Sequence, residues 1–362
     1  MTDDSTNTRS QPVSGKFRRK TIARQLIGKR RLPPRAGGFL LACVIVIAVI
    51  LSPAARRISS SIDFSEGYGL SRLTPESLSA AFSRTIQLPR VDSASSLSQM
   101  LTAAGYHLEG VRTGTAEVPR LALLALPGDL KDLDSQDTRK AVFLKAMLPL
   151  VLQVNEEIAA NRGRVLDLRD RQAAGQRLSA NEQAWLADTY AAYGVAVGNS
   201  AELLRRLDVV PVSLALGQAA LESGWGTSRF AQEGNALFGQ TGQQTSSKGV
   251  ALKSAADGTS FRSFDSLTDA VRAYVRNLNT HVAYKEFRVA RASLRRTTGE
   301  GHSLNGLQLV GALKLYSERG ASYLDDLRGL MRINKLQQFD KSRLTGGTTA
   351  DSGVNPTRTP NA

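Results

Sequence analysis

The stretch PVSLALGQAALESGWGTSRFAQEGNALFGQ, Pro211–Gln240, decides how the rest of the chain is read. Its apolar first half follows a proline, whose missing N–H costs nothing at a helix start, and ends at Gly224, a helix stop. One carboxylate, Glu222, falls in the last turn of that helix, on the face of Ala215, Gln218 and Ala219. The C-terminal end of a helix is negative, and burial beside Trp225 further disfavours ionisation. An acid held there keeps its proton nearer to neutral pH than a free glutamate does. A general acid needs that property when an ether-like oxygen must leave, as in rupture of a glycosidic bond. Gly224 and Gly226 permit a tight, open turn through which a bulky polymer reaches the carboxyl. The same residues also fit a solvated helix-terminal acid, with GWG a plain turn around a core tryptophan.

Helical spacing continues on both sides. In residues 138–172, Val142, Leu144, Met147, Leu148, Val151, Leu152 and Ile158 recur with a helical period, and Pro149 is expected to kink or divide the run. Ser179-Ala-Asn-Glu182 has capping-box spacing and predicts a helix from Ala180 to Tyr193. Further helices fit NSAELLRRLDVV (199–210), SLTDAVRAYVRNLNTH (266–281, with Asp265 as its cap), LNGLQLVGALKLYSERG (304–320) and SYLDDLRGLMRINKL (322–336). Together they predict one α-rich domain over about 135–341.

A chain of 362 residues, 41% hydrophobic and 22% charged, can bury a sizeable core. Its net charge of +15 is uneven: residues 1–36 hold ten Lys/Arg against Asp3 and Asp4, and so carry +8 of it. That basic leader ends at GGFLLACVIVIAVILSPAA, Gly37–Ala55, an uncharged run long enough to span a bilayer, for which roughly 17–25 residues are needed. The Lys/Arg excess before it predicts a single-pass anchor in the inner membrane, N-terminus in the cytoplasm and bulk in the periplasm. A cleaved signal peptide is the competing reading. The leader suits anionic lipid heads better than nucleic acid, since it lacks a folded module and interleaved aromatics. Cys43, the one cysteine, permits no intramolecular disulfide. Residues 56–96 read as a Ser-rich spacer with a short helix near Pro75–Ser83, 97–134 as a small docking segment with a strand near VPRLALLALP, and 342–362 as a disordered tail. His107, His281 and His302 are scattered, with no ligand spacing among them, and no phosphate-binding glycine loop follows a strand. Neither metal nor cofactor is expected, and His281 reads as a structural helix-end residue.

ESGWGTSRFAQEGNALFG, together with AVFLKAMLPLVLQVNEEIAANR and FRSFDSLTDAVRAYVRNLNTHVAY, resembles the bacterial glucosaminidase superfamily, the mannosyl-glycoprotein endo-beta-N-acetylglucosaminidase-like proteins, over about 135–335. The resemblance implies a mainly α, lysozyme-like catalytic domain with a small loop/β lobe, here preceded by the single transmembrane helix. It implies cleavage of N-acetylglucosaminyl bonds in peptidoglycan glycan strands, with Glu222 as proton donor. Trp225 would wall the sugar cleft, with Gln218, Asn235, Phe238 and Tyr274 also binding substrate. Ser228 and Arg229 would begin the next helix, and Asn235, Leu237, Phe238 and Gly239 would form the adjoining loop. Tyr284, or less directly Tyr274, would position water or steady charge on the sugar. Several relatives carry a second glutamate in a mobile lobe after this loop, whereas residues 241–259 contain only Asp257 as an acid. Asp257, the substrate's own 2-acetamido group, or an intramolecular transfer leaving an anhydro-sugar are the open choices for the second role. Lytic transglycosylase action and a non-catalytic, glycan-binding scaffold are the alternatives to hydrolysis.

A reporter fused after Ala362 is expected to be active in the periplasm, with the full chain retained by membranes through an alkaline wash. A soluble form beginning near Arg56 would instead identify Gly37–Ala55 as a cleaved signal.

Overall fold

The helical run around Pro149 becomes the longest element of the structure. The computed structural model describes residues 85–88, 91, 93–240, 252–253 and 260–346. The basic leader, the Gly37–Ala55 segment, most of the Ser-rich stretch with the helix expected near Pro75–Ser83, Asp257 and the tail from 347 lie outside the described residues. In chain order the elements are β1 (Ile86–Leu88), α1 (Ala94–Ala103), α2 (Leu108–Arg112), β2 (Leu121–Leu123), α3 (Gln136–Ala173), α4 (Ala180–Ala192), α5 (Ser200–Arg206) and α6 (Val212–Ser223). There follow α7 (Arg229–Gly234), β3 (Leu252–Lys253), β4 (Ser260–Phe261), α8 (Leu267–Thr280), α9 (Lys285–Thr298), α10 (Gly306–Leu309) and α11 (Ala321–Ile333), with short 3-10 turns between several of them. The described chain is mainly helical, and none of its helices is long and apolar enough to cross a membrane.

Pro149 does not divide α3, which runs unbroken for 38 residues. Residues 142–154 are buried without interruption, and packing of this kind outweighs the roughly 3 kcal/mol that an interior proline costs. The Ser179–Glu182 capping box forms as the sequence predicts, with both reciprocal bonds made. Ser266, not Asp265, caps α8, its hydroxyl accepting from the Asp269 N–H. The segment 304–320 is not one helix but α10, a 3-10 turn and a loop.

The stretch expected to be a separate docking segment is built into the core. β1 pairs in parallel with β2, Ile86 opposite Leu121 and Leu88 opposite Leu123, and Leu97, Leu101, Val111, Leu121 and Leu130 belong to the same buried cluster as α3 and α6. Arg120 grips Glu156 of α3 with two bonds of 2.8 and 3.1 Å and donates to the Thr345 carbonyl at 2.9 Å. The folded unit therefore reaches from Thr85 past residue 341, where Val118 and Leu344 form a parallel bridge. Short apolar runs such as RLALLAL carry no helical period, so their destination depends on a surface that only α3 supplies.

Helix α6 lies at the centre, buried on all sides from Val212 to Ala220, as expected for a helix apolar all round. It packs against α3, α10, α11 and the 3-10 turn Leu336–Lys341. Gly217 makes the α11 contact close: a Cβ there would sit 2.8 Å from Met331 Cγ.

The entry to α6 is fixed by arginines. The last carbonyls of a helix have no intrahelical partner. At the end of α5 they are met by Arg291 of α9, which donates to the carbonyls of Arg205, Arg206, Asp208 and Val209 and to Asn279 Oδ1. Arg162 of α3 adds bonds to the Leu204 and Leu207 carbonyls and grips Glu300. The buried Asp208 carboxylate receives Arg295 at 2.8 Å. Burial alone would raise the Asp208 pKa, but Arg291, Arg295 and Arg162 outweigh it and hold the carboxyl below the usual range. Complete burial pushes the Arg291 guanidinium down to about 10.

Asp208→Ala leaves Arg295 and Arg291 buried without their counter-charge. The expected cost is about 3–5 kcal/mol, a fall in Tm on the order of 10 °C, read by calorimetry at pH 7. Because the folded pKa of Asp208 is depressed, its contribution is full above the unfolded carboxylate pKa and is lost as pH falls through the lower folded value. The gap between wild type and variant should therefore narrow on acidification below about pH 4.

Candidate active site

Helix α6 delivers Glu222 to its C-terminal turn and then stops abruptly. Gly224 adopts the left-handed conformation at φ 58° as the C-cap, and Trp225 follows at φ 59°. A non-glycine residue there costs roughly 1–3 kcal/mol and persists only where its surroundings impose it. Here they do: the Gly226 N–H donates to Ser223 Oγ at 2.8 Å, the Ser228 N–H to the Ser223 carbonyl at 2.9 Å, and Gln232 Nε2 to the Gly226 carbonyl at 2.6 Å. Ser228 then caps α7, its hydroxyl accepting from the Ala231 N–H, and Arg229 is the first residue of that helix.

The half-buried Glu222 carboxyl sits where two chain segments close on it. From one side comes the loop after α7, where a Cβ on Gly239 would lie 2.9 Å from Glu222 Oε2, so any side chain there would displace the acid. Gly239 is also left-handed, at φ 62°. From the other side comes Tyr323, in the first turn of α11, whose phenol is close enough to the carboxylate to favour its charged form. Behind Tyr323 the bonds run in series. Tyr274 Oη donates to Gln218 Oε1 at 2.7 Å, and Gln218 Nε2 donates to Tyr323 Oη at 2.9 Å. Since the Tyr323 oxygen accepts from Gln218, its one proton is free to point at Glu222.

Electrostatics follow from this enclosure. Burial pushes the Glu222 carboxyl above the ordinary glutamate value, and the Tyr323 phenol and the Arg319 charge oppose it without cancelling it. The phenols of Tyr274, Tyr316 and Tyr323 are all driven upward, by burial first, so each is a neutral donor at physiological pH. Tyr284 is raised by burial, lowered by a hydrogen bond with Asn277 and raised again by the Glu222 charge, which places it within electrostatic reach of the acid.

The structure separates the residues named from the sequence. Glu222, Gly239 and Tyr284 share one neighbourhood. Gln218 and Tyr274, expected against substrate, are completely buried and spend their polar atoms on each other and on Tyr323. They position the acid from behind. Phe238 is buried, stacked on Tyr274 at 4.0 Å between centroids, and lends its carbonyl to Tyr316 Oη at 2.9 Å. Asn235 caps α7 in the left-handed region, and its amide donates to the Leu124 and Phe264 carbonyls, both at 3.1 Å. Both residues thus shape the loop that brings Gly239 to the acid. Trp225 is half-buried, edge-on to Phe143 at 5.7 Å, with Lys140 Nζ 5.4 Å from its ring centre. His281 ends α8, its Nδ1 accepting from the Ala283 N–H at 3.3 Å. Asp257 lies outside the described residues.

Tyr316 and Tyr323 were not singled out in the sequence. They stack at 5.6 Å, and Tyr316 also meets Tyr284 at 5.9 Å. Read as two ordinary helical runs, KLYSERGASYLDD gives no reason to prefer these tyrosines. The signal that was available is Gly320 between them, which breaks the first run and starts α11 with Tyr323 facing inward.

Known proteins share sequence with this part of the chain. The family model described as mannosyl-glycoprotein endo-beta-N-acetylglucosaminidase matches residues 198–336, which include Glu222 and all four tyrosines of the site. Protein bax of Escherichia coli (strain K12) is 35% identical over 213 residues, spanning 57% of this chain and 74% of that protein. Among solved structures, the catalytic domain of the autolysin Auto from Listeria monocytogenes is 18% identical, with 48% of this chain and 96% of that chain covered at a TM-score of 0.29.

Tyr323→Phe removes the phenol hydroxyl that favours the charged form of Glu222, so the Glu222 pKa is expected to rise further. Carboxyl-carbon NMR of glutamate-labelled protein, with Glu222→Gln to assign the signal, measures it. An unchanged or lower value would show that Tyr323 does not donate to the acid.

Proposed function

The chain belongs to the glucosaminidase family as a Bax-like member, and from that premise we propose that it is a glycoside hydrolase of peptidoglycan, cleaving β-N-acetylglucosaminyl bonds with Glu222 as general acid. The observation that carries this reading is the setting of Glu222: a half-buried carboxyl at a helix C-terminus, its charged form disfavoured by burial, held by Tyr323 beside a loop that glycine leaves open. On this reading the helical domain is of the lysozyme-like kind, with the β3–β4 ribbon as its small lobe. Gly37–Ala55 anchors it in the inner membrane, with the catalytic part in the periplasm.

Protonated Glu222 gives its proton to the glycosidic oxygen as the bond from that oxygen to the anomeric carbon breaks. Water completes hydrolysis by bonding to the anomeric carbon and losing a proton. Tyr323, fed by Gln218 and Tyr274, stabilises the carboxylate left behind, so the acid is strong enough to give the proton up yet protonated often enough to have it. Tyr284 orients water or steadies charge on the sugar. Asp257, reaching in from the segment after Gly239, takes the second carboxylate role; otherwise the substrate's acetamide takes it. Trp225 offers a sugar-stacking face at the turn, while Asn235 and Phe238 hold the loop wall.

A lytic transglycosylase reading is favoured by one observation, the absence of any glutamate from residues 241–259. One acid suffices when the substrate's own hydroxyl attacks and leaves an anhydro-sugar. A glycan-binding scaffold that keeps the cleft without turnover is the reading outside catalysis.

Incubation of purified protein with peptidoglycan sacculi separates all three by product: a reducing-end N-acetylglucosamine, an anhydro-muramyl end, or no fragment. Glu222→Gln is expected to lower the rate by about 10²–10⁴. Its Tm should be equal or slightly higher, because a carboxyl whose folded pKa is raised costs stability above that pKa and the amide does not. Equal rates from equally folded wild type and variant would falsify the assignment of Glu222.

A further inference from the structure

The turn Val282–Tyr284 has two different neighbourhoods. Tyr284 belongs to the tyrosine cluster around Glu222, whereas Val282 lines a cavity of about 620 Å³ between α5 and α9. The charged lining of that cavity is Arg205, Arg206, Lys285 and Arg288 against the single carboxylate of Glu202. Glu202 is already shared, since both Arg205 and Arg206 pair with it. Arg288 is only 2% exposed, and its Nη1 donates to the Leu278 and His281 carbonyls at 3.0 and 2.8 Å, bonds that neutralise no charge. Burial, followed by the nearby Arg206 and Arg205, disfavours the charged form of Arg288, while Glu202 supports it. The lining thus carries more positive charge than its own carboxylate balances, and a buried cation is stabilised by an anion brought to it.

Geometry narrows the anion. Each guanidinium fork pairs with oxygens two at a time. A carboxylate satisfies one fork, whereas this cavity gathers three guanidinium groups and an ammonium, a set suited to the several oxygens of a phosphate. Three exposed valines lie in its lining or near it in the chain. Val282 and Val197 are 77% and 75% exposed and Val289 is 49% exposed. Val282 is in the lining, Val197 stands two residues before the lining residue Asn199, and Val289 follows Lys285 by one turn of α9. Exposed aliphatic side chains beside a basic pocket match the boundary of a bilayer, where acyl chains meet charged heads.

We propose that this cavity binds phosphate and that its occupant is the headgroup of an anionic phospholipid, with the three valines against the bilayer surface. The site would hold the domain on the membrane face next to Tyr284, independently of what the Glu222 site cleaves.

The test uses the full chain. Inorganic pyrophosphate should raise Tm with increasing concentration, as any ligand of the folded state does. Lys285→Glu and Arg205→Gln, with unchanged Tm in its absence, should each weaken that effect by at least about tenfold, the scale of one charged hydrogen bond. Hydrogen exchange across residues 280–290 should slow with phosphatidylglycerol vesicles and not with phosphatidylcholine vesicles, a local readout that the basic leader does not supply. No Tm response, or an equal response in both variants, overturns the phosphate site. A variant-sensitive response to pyrophosphate without vesicle protection supports the phosphate site and overturns the lipid as its occupant.

Discussion

A helix apolar on every side has no stable place except the middle of other helices, and α6 is such a helix. Its burial fixes where Glu222 stands, because the acid is in its last turn and Gly224 ends it one turn too soon for solvent to surround the carboxyl. The entry to α6 is fixed as firmly as its exit. Arg291, Arg295 and Arg162 collect on Asp208 and on the free carbonyls of α5. The connector between α5 and α6 is thereby held by groups from α3 and α9 and not by its own sequence.

Two opposed effects act on Glu222, and their balance gives the site its chemistry. Removal from water favours the protonated acid; the phenol of Tyr323 favours the anion. With burial alone, the group would hold its proton more firmly. With the phenol beside it in water, it would be an ordinary carboxylate. The Tyr274–Gln218–Tyr323 series fixes the direction of the second effect, since each donor is committed by the one behind it. Buried residues can therefore set how readily the Glu222 carboxyl ionises.

Surface charge divides along similar lines. Within the clamp, arginines serve α5 and α6, and their charge is met by Asp208 and Glu300. A few residues away, Arg205, Arg206, Lys285 and Arg288 face one carboxylate between them. The same residue type therefore has a structural use in one place and a surplus of charge in the next. Pairing with carboxylates distinguishes the two, and composition does not.

The sequence by itself determined much of what local physics controls. The capping box at Ser179–Glu182, the stop at Gly224 and the placement of Glu222 in a last turn depend on neighbours a few residues apart, so they are legible in one dimension. Glu222 stood out as the candidate acid through the resemblance of its stretch to a known family, since its local setting by itself also fits a solvated helix-terminal carboxylate. Tertiary structure decided what depends on surfaces far apart in the chain. Pro149 stays helical because the core packs around it, and Leu97–Pro127 joins that core because α3 offers a face to it. Gln218 and Tyr274 turn inward as supports, and Tyr316 and Tyr323, about a hundred residues beyond Glu222, complete the site. A hydrogen bond between residues so distant leaves no periodicity or spacing in the sequence, because only the folded chain brings its two ends to the same place.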